Sequence, residues 1–183
     1  AFASQAKEFP NLVQGLAGTV KAVFGVKPDP DFTSLAEAPR TIFNVNVTPQ
    51  RRVATQATSL ERLKAIGEAA GGSINDVVLA ASSGAMRRFL LEIGELPRKS
   101  LVTSIPVALP RDSSQAGGNA ISFANVRLGT DIEDVRERFD VIRRSSTAGR
   151  EFLKQMSTKT LMDYTVLISS PQMLTRLPGI GSR

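Results

Sequence analysis

Few residues in this chain are placed to do chemistry. Asn75 and Asp76 stand at the mouth of a run, VVLAASSGAMRRFLLEI, that is otherwise apolar or small over its first turns. A carboxylate at the third helical position can accept the free N–H groups of the first turn and complement the helix dipole. The same pair could shape the wall of a site where two lobes meet. Ser82-Ser83-Gly84 offers hydroxyl nucleophiles, but a serine needs a base to activate it, and close helix packing explains the small residues better. Asp29 and Asp31, or Asp131, Glu133 and Asp134, supply oxygens of the kind a hard cation takes, yet caps and solvated turns account for them and no metal is expected. Gly117-Gly118-Asn119 precedes a predicted strand. Glycines there serve a tight turn, or let backbone N–H groups approach a ligand, although no helix follows to complete a phosphate loop.

Composition narrows the chemistry further. The 183 residues contain no histidine and no cysteine. Disulfides, thiolate metal sites and cysteine nucleophiles are therefore excluded, and the usual general base near neutral pH is missing. The chain carries no complete active site of its own. A net charge of +6 favours anionic partners such as phosphates or a lipid surface. Arginine pairs recur at Arg51-Arg52, Arg87-Arg88 and Arg143-Arg144, but aromatics are not interleaved with them, so a solvated basic surface or contact with an anionic cofactor or headgroup is expected and nucleic acid is not. No run approaches the length of a membrane span, and the chain reads as soluble.

The elements that must position these residues follow from periodicity. Leu12, Val13, Leu16, Val20, Val23 and Phe24 suggest a helix weakened by glycines, and the proline-rich stretch from Lys27 to Pro39 reads as a linker. Phe43, Val45 and Val47 alternate with Asn44 and Asn46, which predicts a strand over 41–47 with a hairpin partner over 51–57. Thr58-Ser59-Leu60-Glu61 reads as a capping box opening a helix that Gly71-Gly72 ends, and Ser73-Ile74-Asn75-Asp76 as a second box opening a buried helix to about Ile93. Leu101 to Ala108 suits a central strand, and Asn119 to Leu128 another. Asp131 and Asp134 start a helix with Ile132, Val135, Phe139 and Ile142 on its apolar face and Arg136, Arg138, Arg143 and Arg144 on its other face. Residues 151–177 look helical in two or three pieces.

The order of these landmarks carries a resemblance. TIFNVNVTPQRRVATQ, GGSINDVVLAASSGAMRRFLLE, SIPVALPRD and GGNAISFANVRLGTDIEDVRERF together resemble the bacterial wax ester synthase/diacylglycerol acyltransferases, from about Thr41 to Ile142 and more loosely to both ends. The most specific part is Asn75-Asp76 with the small-residue, Arg-Arg, Leu-Leu run after it.

The resemblance implies an α/β fold, a mixed β-sheet flanked by helices, like the second lobe of chloramphenicol acetyltransferase. It implies that acyl-CoA and a fatty alcohol or diacylglycerol meet in a channel between two lobes, with the family's HHxxxDG histidine as general base in the first. With no histidine here, residues 1–40 are expected to be the helix and linker between lobes and 41–183 an incomplete C-terminal lobe, whose partner is an N-terminal lobe carrying HHxxxDG. The family's NVxxSNVPGP pattern is expected beyond Arg183. The family's Asn-Asp pair falls on Asn75 and Asp76 and its Gly-Asn feature on Gly118 and Asn119, as residues that shape the site. No catalytic, metal or cofactor-binding residue is assigned within the chain, and acyl-CoA enters as substrate. The expected location is cytoplasmic, with peripheral docking at the inner membrane or lipid inclusions as an extension. Two alternatives stand beside this reading: a non-catalytic binding or scaffold lobe, and another CoA-dependent acyltransferase of the same superfold.

Overall fold

A computed structural model describes residues 29–46, 48–108, 121–156, 161 and 164. The chain divides into two units, one formed by Pro30–Ile105 with Asn125–Gly149, the other by Ala1–Asp29, Pro106–Ala124 and Arg150–Arg183. Among the described residues the regular structure is three helices and two strands, together with short 3-10 turns: α1 (Leu60–Ala69), α2 (Ile74–Glu92), β1 (Val102–Ala108), β2 (Ile121–Arg127) and α3 (Val135–Lys154). The architecture is mixed α/β, as expected.

Local chemistry sets the helix starts. Ser59 caps α1 by accepting the Arg62 N–H at 3.2 Å, while its hydroxyl also reaches Glu61 Oε2 at 2.7 Å. Glu61 sits one position too early to close the reciprocal box, so only half of that motif forms. At α2 the box is complete between Ser73 and Asp76. Between the two helices Gly71 takes φ +66°, a conformation that costs glycine little. Its neighbour Gly72 is needed for a different reason: a Cβ there would lie 2.7 Å from Phe139 Cζ, so the ring of α3 packs against bare backbone. Asp134 starts α3, its Oδ1 accepting the N–H groups of Arg136 and Glu137 at 2.9 and 2.8 Å.

The two strands run antiparallel, since the Leu128 N–H bonds the Leu101 carbonyl at 2.9 Å while Ser104 meets Asn125 at 2.8 Å. In the Pro30–Ile105 and Asn125–Gly149 unit, Leu90, Leu101 and Leu128 form a buried cluster with Leu79 and Leu96 against it, and Val126, Phe139 and Ile142 are buried as well. In the other unit Phe152 meets Tyr164 edge-on, with centroids 5.9 Å apart and planes at 69°. Burial raises the Tyr164 phenol above its ordinary range.

Three expectations fail. The predicted strand over 41–47 is instead a 3-10 turn at Ile42–Asn44, because Thr41 accepts the Phe43 N–H and Asn44 Oδ1 accepts the Thr41 N–H at 2.8 Å. Those side chains take the backbone groups a ladder would use, and Phe43 and Val45 stay 51% and 63% exposed. Residues 51–57 have no regular structure and are exposed, so the hairpin is absent. The second failure is α2, which is buried along Asp76, Val77, Ser83 and Leu90 but exposes Val78, Met86, Phe89 and Leu91. The third is Arg138, expected on the polar face and found 6% exposed. Its Nη1 donates to the Ile132 and Glu133 carbonyls at 2.8 and 3.2 Å, which clamps the turn leading into α3.

Candidate site at the start of α2

Asn75 and Asp76 occupy the second and third positions of α2, and consecutive helical residues point in different directions. Asp76 turns inward and is 1% exposed; Asn75 is exposed. The pair therefore splits into an inner and an outer member.

The inner member is held on both oxygens. Asp76 Oδ2 accepts the Ser73 N–H at 2.8 Å and the Ser73 hydroxyl at 2.7 Å, and Asp76 Oδ1 accepts the Ser146 hydroxyl at 2.7 Å. Ser146 lies in α3 and is wholly buried. A buried carboxylate with no cation beside it is costly, and here hydroxyl donors, a backbone N–H and the positive end of α2 offset that cost. Among the described residues no ion pair involves Asp76.

Ser145, next along α3, accepts the Arg127 N–H at 3.0 Å and shares a 2.9 Å bond with Thr33. Two adjacent serines thus tie α3 to the start of α2, the end of β2 and the segment before α1. Sequence reading missed both. Their signal is position: Phe139, Ile142 and Ser146 fall on one face of α3 at helical spacing, and a polar residue inside an apolar stripe has to find a partner.

Ser83 is equally engaged, donating a 2.6 Å bond to the Leu128 carbonyl, and Ser82 donates to the Val78 carbonyl at 2.9 Å. Both hydroxyls serve structure. The arginine pairs are largely occupied too: Arg87 donates to the Thr130 carbonyl at 2.7 Å, Arg88 pairs with Glu92 at 2.8 Å, and Arg144 pairs with Asp31 at 3.3 Å. Among the described residues no cluster suited to a metal ion occurs. Gly117, Gly118 and Asn119 lie outside the described residues.

Comparison with known proteins gives this geometry its context. Residues 1–78 match the sequence model described as the wax ester synthase/diacylglycerol acyltransferase catalytic domain, and residues 117–180 match the C-terminal domain of the same family. The chain belongs to the wax ester synthase/diacylglycerol acyltransferase family. It is 33% identical over 177 residues to the O-acyltransferase WSD of Acinetobacter baylyi, covering 97% of this chain and 38% of that one. A Mycobacterium tuberculosis protein named as a diacylglycerol O-acyltransferase is 38% identical over 147 residues, covering 79% of this chain and 30% of that one. Among solved structures, the wax ester synthase/diacylglycerol acyltransferase of Marinobacter aquaeolei VT8 aligns with a TM-score of 0.66 at 26% identity, over 93% of this chain and 36% of its own. The chain thus spans well under half the length of these relatives. Its fold is that of this family, and the start of α2 is the part where the family resemblance and the buried polar network coincide.

Proposed function

We propose that this chain is the C-terminal part of an O-acyltransferase that moves a fatty acyl group from acyl-CoA to a long-chain alcohol or diacylglycerol, giving a wax ester or a triacylglycerol. The observation that carries the reading is the match of both family domains in one chain, at residues 1–78 and 117–180. In the reaction the alcohol oxygen attacks the thioester carbonyl, the alcohol proton passes to a base, and the CoA thiolate leaves. The chain has no histidine to serve as that base. The role falls to the HHxxxDG histidine of an N-terminal lobe, while Asn75, Asp76, Gly118 and Asn119 shape the wall of the shared channel.

The outer stripe of α2 supports such a partner. Val78, Met86 and Phe89, with Ile93 just after the helix, recur at helical spacing and are all exposed, and the Phe43 ring lies tilted against Phe89 with centroids 6.0 Å apart. An apolar stripe of this kind is suited to the apolar surface of another lobe. In this reading contact with lipid inclusions or the inner membrane is peripheral; among the described residues no helix is long and apolar enough to cross a membrane.

The test is direct. The full-length gene product is incubated with palmitoyl-CoA and either hexadecanol or dioleoylglycerol, and ester and free CoA are measured. Equal amounts of ester and CoA are expected. CoA release without ester would overturn the reading in favour of thioester hydrolysis, and neither product under conditions where a family enzyme turns over would overturn it in favour of a binding lobe.

A further inference from the structure

A second polar feature involves the segment that follows α2. A cleft of about 230 Å³ is lined by Thr33, Glu37, Arg98, Lys99, Ser100 and Asp131, with Arg127 alongside. Its charges are unevenly engaged. Arg127 is committed to Asp131 Oδ2 at 2.8 Å, and Glu37 Oε1 accepts the Ser34 N–H at 2.8 Å. Arg98 and Lys99, adjacent in sequence and exposed, pair with no carboxylate among the described residues.

The walls between these charges are built, not solvated. Thr33 and Ser100 are buried hydroxyls, 3% and 5% exposed. Thr33 is fixed by Ser145 at 2.9 Å, and Ser100 accepts the Gly129 N–H at 2.7 Å. On the acidic side, Asp131 is held by Arg127, which leaves Glu37 as the carboxylate exposed to a ligand.

We infer that this cleft binds a phosphorylated sugar-like group, with its phosphate against Arg98 and Lys99 and the neighbouring hydroxyl donating to Glu37. The two free cations supply charge-assisted bonds to an anion. Glu37 and Asp131 would repel a bare anion. Glu37 favours a ligand that carries a hydroxyl donor next to its phosphate, which a plain basic patch would not require. The choice of probe rests on the acyl-CoA reading, because CoA ends in a ribose bearing a 3′-phosphate. The binding itself can be measured without ester formation, so failure of either reading leaves the other standing.

The experiment is calorimetric titration of the full-length gene product with adenosine 3′,5′-bisphosphate and, separately, inorganic phosphate, at constant ionic strength. Loss of both cations in the Arg98→Ala/Lys99→Ala variant should weaken the nucleotide by about tenfold or more. Both side chains are exposed, so the thermal transition should not move. The variant Glu37→Gln separates the proposal from simple charge attraction: nucleotide affinity should fall while inorganic phosphate affinity rises. Unchanged nucleotide affinity in the double variant would overturn the proposal, as would a rise for both ligands in Glu37→Gln. Vesicles containing phosphatidic acid form the remaining arm. If the double variant lost vesicle binding and kept nucleotide binding, the cleft would be a headgroup site and the soluble ligand would be wrong.

Discussion

The Ser146 hydroxyl donates a 2.7 Å hydrogen bond to Asp76 Oδ1, joining α3 to the first turn of α2 across seventy positions of sequence. Both groups are buried, so each depends on the other. Ser146→Ala should leave one carboxylate oxygen short of a donor and cost about 1–3 kcal/mol. Asp76→Ala should cost more, roughly 3 kcal/mol, because it also removes the reciprocal half of the capping box of α2 and strands the Ser73 N–H and the Ser73 and Ser146 hydroxyls. Chemical denaturation of single and double variants checks this. Additive losses would mean that the two residues do not act through their shared bond.

Gly72 and Phe139 make a second long-range dependence. A Cβ at Gly72 would lie 2.7 Å from Phe139 Cζ and 3.0 Å from Cε1, and the ring is itself buried. Gly72→Ala should therefore destabilise by about 1–3 kcal/mol through overpacking. Phe139→Leu in the same chain should recover part of that loss, even though it is destabilising alone. A double variant no better than the sum of its parts would place the strain elsewhere.

These pairs also explain what was legible in the sequence. Ser73 could be read as a cap because a cap is settled within four residues, and α2 begins where it predicts; at α1 the box over Thr58–Glu61 points to Thr58, and the cap is Ser59, one residue on. Asp76 was correctly placed at the third helical position for the same reason. Its bond to Ser146 was invisible, since nothing local distinguishes Ser146 from a solvent-facing serine until α3 is packed. The failed strand at Thr41–Val47 shows the reverse error: period-two alternation was present, but Thr41 and Asn44 had a closer use for the backbone groups. The small residues of α2 fit a fully buried helix and a half-buried one equally well. Arg138 was misread by counting charge alone, whereas its long stem lets the guanidinium reach carbonyls at Ile132 and Glu133 from an inward position.

Tyr164 provides a pH test. It is the sole tyrosine of the chain, and burial raises its phenol. The folded state then favours the neutral form more than the unfolded chain does. Stability should be unaffected below the unfolded phenol value of about 10 and should decline as pH rises from there towards the higher folded value. Absorbance at the phenolate band should titrate above the free tyrosine range in the folded chain. A normal midpoint would show that the ring beside Phe152 is wetter than its contacts indicate.

The split between Asn75 and Asp76 makes the last prediction, which rests on the acyltransferase reading. Asn75 is exposed at the second position of α2, so Asn75→Ala should change stability by no more than about 0.5 kcal/mol. If Asn75 nevertheless shapes the channel wall, the same variant of the full-length gene product should lose about tenfold in turnover, the equivalent of one hydrogen bond to the reacting complex. Asp76→Ala should lower stability and turnover together, because it loosens the helix that carries Asn75. Denaturation midpoints and ester formation measured on both variants separate the roles. Full turnover in Asn75→Ala would make the pair purely structural, with Asp76 as its only consequential member.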